Sequence, residues 1–130
     1  MSEQNVALAR EGYGDGDPLV TMAGRIDPEA EFDFTDVYPD QPVLRGRDEI
    51  EQFRDAGPWG RSLRFEPERY FDVDAERVLV FIRVTATGQE SGASVEVKAA
   101  HELTIRDGLL VRLKVYLDRD KALEVNGLTE

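Results

Sequence analysis

His101 is the only histidine in the chain, and it falls within an alternating apolar run: Val95, Val97, Ala99, His101, Leu103, Ile105. A buried imidazole can give or take one proton near neutral pH, which is what acid–base chemistry needs. The plain alternative is a core histidine with one satisfied hydrogen bond. Asp118 ends the last apolar run. Desolvated there, its carboxylate could draw a proton from a carbon beside a carbonyl. It is equally well suited to cap the segment that follows, and the two roles are compatible. Arg83 interrupts the apolar face formed by Leu79 and Phe81. A buried guanidinium needs a carboxylate partner, so an edge or interface salt bridge competes with contact to a ligand. Phe53, Phe65, Tyr70 and Tyr116 supply aromatic surface at spacings that usually mark core. Trp59, between Gly57-Pro58 and Gly60, sits on a loop that could lid a pocket. Asp33, Asp36 and Tyr38 follow a short apolar alternation; a loop aspartate is commonly solvated, and Tyr38 could line a pocket mouth.

Other chemistries are poorly served. There is no cysteine, which removes disulfides, thiolate nucleophiles and structural zinc. One histidine and no calcium-loop spacing argue against a metal. No glycine-rich phosphate cradle and no Gly-x-Ser-x-Gly elbow occurs, so no cofactor is expected. The chain has 130 residues, 41% of them hydrophobic, enough for one domain, residues 1–130, with one core. A formal charge of -11 and a pI of about 4.5 repel phosphate backbones and anionic bilayers, so neither nucleic acid nor a membrane is an expected partner. The N-terminus does not read as a signal peptide and no run is long enough to span a bilayer, which makes the cytoplasm the default location.

The elements that must position these residues follow from periodicity. Val6, Ala9, Arg10 and Tyr13 give a helix from about Gln4 to Tyr13, broken by Gly12, Gly14 and Gly16. Asp17-Pro18 opens a short second helix that Gly24 can close. Ala30–Thr35 alternates as a strand, Asp36–Arg47 reads as a loop, and Arg47–Ala56 is a further helix with Ile50 and Phe53 on one face. Beyond Ser62 the period becomes two: Leu63–Val73, kinked at Pro67, then Arg77–Thr87, Ala93–Ile105 and Leu109–Leu117. Gly88–Gly92 and Asp107-Gly108 are the turns. Asp118 caps a last helix over Arg119–Val125, stopped by Asn126-Gly127. Arg77–Thr87 is apolar on both faces and must be covered on both. The fold class is therefore α+β: a cone-shaped, curved antiparallel sheet wrapped around about three N-terminal helices, with a short C-terminal helix. The concave side of such a sheet leaves room for a pocket.

Four segments carry a resemblance. Ile26-Asp27-Pro28-Glu29-Ala30-Glu31-Phe32, Leu44-Arg45-Gly46-Arg47-Asp48-Glu49-Ile50, Ile105-Arg106-Asp107-Gly108, and Tyr116-Leu117-Asp118-Arg119 with Ala122-Leu123 together resemble the nuclear transport factor 2-like superfamily, in particular its SnoaL-like, polyketide cyclase-like branch. The resemblance implies a cone with an apolar pocket, homodimers through the sheet, and activities ranging from cyclases and ketosteroid isomerases to non-catalytic domains; the fold does not choose among them. It also implies that His101 stands where ketosteroid isomerases keep an oxyanion-hole acid, Asp118 where the cyclases keep a pocket aspartate, and Asp36 near the isomerases' general base. Tyr13-Gly14-Asp15-Gly16-Asp17 shortens the first helix relative to that pattern. The Arg-x-Asp of the superfamily's epoxide hydrolases is missing from the central strands.

The expectation is a pocket for a small apolar or polycyclic molecule, with cofactor-free isomerase, cyclase or dehydratase chemistry at His101, Asp118 and Asp36. Tyr13, Tyr38, Trp59, Phe53, Arg83 and Tyr116 would contact the ligand. The alternatives are a non-catalytic ligand-binding protein and a dimerisation domain. A homodimer through the outer sheet face would cover Leu79 and Phe81.

Overall fold

Alternating apolar residues in the second half of the chain leave one face of each strand in need of cover, and the computed structural model shows how it is supplied. The structure describes residues 2–13, 25–37, 40, 43–56, 64–88 and 92–128, without the side chains of 2 and 54–56. The expected helix after Asp17-Pro18, together with Tyr38 and Trp59, lies outside the described residues.

Helix α1 (Ser2–Gly12) is followed by strands β1 (Ile26–Asp33) and β2 (Leu44–Arg45), helix α2 (Arg47–Ala56), and strands β3 (Arg64–Asp72), β4 (Arg77–Thr87), β5 (Ser94–Arg106) and β6 (Leu109–Tyr116). Helix α3 (Arg119–Val125) ends the series. The strands form one curved, unclosed sheet in the order β2-β1-β6-β5-β4-β3. Neighbours are antiparallel except at one seam, where β1 runs parallel to β6 with Phe32 opposite Leu113. The hairpin signals govern only β3 to β6. β1 meets β6 from the far end of the chain, so no turn residue dictates its direction. β2 lies in what the sequence presents as loop: two residues become a strand only because Glu31 and Phe32 stand beside them. Pro67 sits on the edge strand β3, where the register slips between Pro67 and Arg69; this is where a residue without an N–H is tolerated.

α1 packs on β3 and β4, and α2 on β1 and β2, both on the concave face. Leu8, Ala9, Ile50, Val78, Val80, Ile82, Leu103, Ile105 and Leu113 make the principal core there. The opposite row of β4 is covered from the other side. Leu79, Phe81, Ala100 and Tyr116 pack against Ala122 and Leu123 of α3. The expected need for a partner copy over Leu79 and Phe81 is thus met within the chain, because both are buried in the monomer. Arg119 pins this helix: Nε donates to the Ala99 carbonyl at 3.1 Å and Nη2 to that of Ile82 at 2.8 Å, and the guanidinium lies 4.7 Å over the Phe81 ring. Among the described residues no helix is long and apolar enough to cross a membrane.

Gly46 makes the corner between β2 and α2. Its φ is +82°, its N–H reaches the Ala30 carbonyl at 2.8 Å, and an added Cβ would stand 3.2 Å from the Pro28 carbonyl oxygen. Left-handed backbone costs an L-residue roughly 1–2 kcal/mol. Gly46→Ala is therefore expected to lower unfolding stability by about 1–2 kcal/mol, read from urea midpoints; an unchanged midpoint would show that this corner relaxes freely.

Candidate functional site

Alternation along β5 sends Ala99, His101, Leu103 and Ile105 to the concave core and Ala100, Glu102 and Thr104 to the convex face. Exposure falls from 43% at Val97 to 2% at Ala99 and 4% at His101, so the histidine lies where the strand passes into the core. Its neighbours on the adjoining strands are Val80 of β4 and Val115 of β6. Phe65 of β3 stands over the imidazole with ring centroids 5.3 Å apart. Phe34 and Phe53 stack at 5.3 Å and pack against the same core.

Among the described residues, the one polar contact to His101 comes from the end of α1. Tyr13 extends the helix, its N–H bonded to the Ala9 carbonyl at 3.1 Å, and its hydroxyl lies 2.6 Å from His101 Nδ1. The shortened helix therefore still delivers its tyrosine to the concave face. Burial pushes the His101 pKa down to about 3, with no neighbouring charge contributing, and it pushes Tyr13 well above 10, helped by Tyr70. Both groups are neutral across the physiological range. Arg10 lies 4.3 Å over the Tyr70 ring at the helix edge.

The carboxylates expected beside His101 work elsewhere. Asp118 Oδ1 accepts from the N–H groups of Asp120 at 2.9 Å and Lys121 at 3.2 Å, and so caps the convex-face helix α3. Asp36 accepts from the Leu117 N–H at 2.8 Å and lies 3.7 Å from the Lys121 ammonium; it ties the end of β1 to the β6–α3 junction. Neither is joined to His101. Asp33 is buried on the convex side, against Lys114 at 3.2 Å and Arg112 at 3.6 Å. Burial raises its pKa, but bonds from Thr35 and Lys114 outweigh that and hold it below the usual value. Arg83 pairs with Glu66 across the edge strands, and Tyr116 donates to Glu102 Oε1 at 3.1 Å. Burial, reinforced by the Glu102 carboxylate, pushes Tyr116 up to about 12. Both residues thus face the convex side. Of the expected contacts, Tyr13 and Phe53 share the concave face with His101. Phe65 was visible in the sequence only as aromatic surface; its place over the imidazole depends on the β3–β4–β5 register.

A groove of about 550 Å³ runs along the convex face past Glu29, Glu31, Arg77, Glu102, Arg106 and Arg112. Its arginines are paired, Arg77 with Asp74, Arg106 with Glu76, and Arg112 with Asp33 and Glu102. A groove lined by charged side chains offers an apolar molecule little. Among the described residues no cluster of three or more potential metal ligands occurs.

The depressed His101 pKa has a thermodynamic consequence. Between about 6.5 and about 3 the unfolded chain binds a proton that the folded one refuses, so this contribution is complete above about pH 6.5 and is lost as pH falls. The slope is at most about 1.4 kcal/mol per pH unit. Urea unfolding from about pH 7 to about pH 5 should cost the wild type about 1–2 kcal/mol more than His101→Gln; equal losses would mean that the folded imidazole titrates normally.

A family profile described as SnoaL-like domain matches residues 9–113. No curated protein matches the chain. Solved structures share the fold. An NTF2-like protein of unknown function from Burkholderia pseudomallei K96243 is 20% identical, with 92% of this chain and 95% of that one covered at a TM-score of 0.70. TerC, co-crystallised with polyporic acid, is 20% identical over 95% and 98% of the two chains, TM-score 0.70. A protein of ketosteroid isomerase-like fold from Catenulispora acidiphila DSM 44928, in complex with trimethylamine, is 13% identical over 95% and 92%, TM-score 0.64. With a profile matching most of its length, this chain belongs to the SnoaL-like domain family of the NTF2-like superfamily.

Proposed function

We propose that the concave face is a pocket for a small apolar or polycyclic molecule, with His101 as its polar anchor. The observation that carries this reading is the neutral Tyr13–His101 hydrogen bond, 2.6 Å long and set among buried aromatic and branched side chains. A few placed polar groups in an apolar lining are the usual composition of a small-molecule site. Fold neighbours crystallised with polyporic acid and with trimethylamine lend the same support. Binding without turnover is favoured over proton abstraction by a specific observation: Asp118 and Asp36 are engaged with backbone N–H groups at the α3 end. An imidazole whose pKa is held near 3 is also a weak base. If chemistry does occur, it would be cofactor-free polarisation of a carbonyl by His101, in the manner of an isomerase or cyclase. A homodimer is proposed through the part of the outer sheet that α3 leaves open.

The test is calorimetric titration with 2-acetylnaphthalene, with Phe65→Asp as the control. The wild type should bind one molecule saturably. A carboxylate beside His101 should weaken binding by at least about tenfold, because burying it without a partner is unfavourable, while the circular dichroism spectrum stays the same. Unsaturable uptake, or affinity unaffected by the substitution, would sink the pocket.

A further inference from the structure

Strand register puts four side chains of the convex face in one row. Glu31 on β1 stands opposite Arg112 on β6, Arg112 opposite Thr104 on β5, and Thr104 opposite Arg77 on β4. All four line the groove of about 550 Å³ on this face. Thr104 is 9% exposed, so it belongs to the floor, with a guanidinium on either side. Arg106, two residues further along β5, adds a third. Among the described residues the lining holds these three guanidiniums and five carboxylates, those of Glu29, Glu31, Asp74, Glu76 and Glu102, a surplus of two negative charges. Mixed signs narrow what such a groove can hold. A bare anion meets the surplus carboxylates, and a bare cation meets the arginines around Thr104. The existing ion pairs still leave each sign something to bind. Arg106 gives Nε to Glu76 at 3.0 Å, yet its side chain is 60% exposed and carries two more N–H-bearing nitrogens. Arg112 lies 3.5 Å from Glu102 and 3.6 Å from Asp33, beyond the length of a good hydrogen bond. On β1, Glu31 is held by Arg45 at 2.5 Å, while Glu29 is exposed and, among the described residues, has no ion pair. Only β6 separates β1 from β5, so Glu29 and Arg106 stand about two strand spacings, or about 10 Å, apart. Val111 of β6 gives the stretch between them an apolar side chain.

We infer that this groove is a second binding site, for a linear zwitterion. The ligand's carboxylate lies over Thr104 against Arg106 and Arg77, its ammonium reaches Glu29 across β6, and its methylenes rest on Val111. Such a molecule meets both signs of the lining and adds no net charge to it. The site goes beyond the concave pocket and does not rest on it. Both ends of the ligand stay near solvent, so each contact is screened and the affinity is millimolar.

The probe is 6-aminohexanoate, which carries its two charges at the ends of a short alkyl chain. Titrated into nitrogen-15-labelled protein, it should shift the backbone amide signals of Glu29, Thr104 and Arg106 along one saturable curve. Hexylamine and hexanoate, each with a single charge, should bind at least about tenfold more weakly, the worth of one charge-assisted hydrogen bond. Glu29→Gln and Arg106→Gln, both at exposed positions, should each weaken 6-aminohexanoate by about tenfold with the remaining amide signals in place. Phe65→Asp, on the concave face, should leave its affinity as it is. Equal binding of the three compounds, shifts confined to the concave face, or an affinity untouched by both groove substitutions overturns the inference. A partner copy over the outer face would compete with the ligand, so the titration is repeated at a much lower protein concentration. Failure to saturate at both concentrations overturns the inference as well.

Discussion

Strand β4 carries apolar side chains on both of its faces, Val78, Val80 and Ile82 on one and Leu79 and Phe81 on the other, and no single layer of helices can cover both. The chain therefore needs one layer on each side of the sheet. α1 and α2 take the concave face and α3 the convex one. Each layer has to be anchored, and the anchors consume the residues whose types suggest chemistry. On the convex side Asp118 caps α3 and Arg119 fastens it to β4 and β5. On the concave side the end of α1 brings a phenol onto an imidazole that the strand alternation has already turned inward.

That division gives the two faces different physics. The convex face concentrates charge: Asp33, Glu102, Arg112, Lys114 and Tyr116 satisfy one another there. Among the described residues, the concave core holds one buried polar pair, Tyr13 and His101. In apolar surroundings a hydrogen bond between neutral groups is retained, whereas an ion would pay heavily for desolvation. Burial therefore holds both members of the pair neutral.

What the sequence by itself determined was everything governed by local periodicity. The strands β3 to β6, the hairpin at Asp107-Gly108, the helices Arg47–Ala56 and Arg119–Val125, the cap at Asp118 and the break at Pro67 all rest on contacts between near neighbours. The inward direction of His101 belongs with them, since a period of two leaves no choice once the strand is given. The tertiary structure decided what depends on residues far apart in the chain. β1 runs parallel to β6 across about 80 intervening residues, where no hairpin rule applies. The two-residue strand β2 exists only against β1. Tyr13 and His101, 88 positions apart, meet through helix-on-sheet packing. The sequence left the role of Asp118 divided between cap and pocket base; three-dimensional placement commits its carboxylate to α3, because the helix it starts must lie on the face opposite to His101.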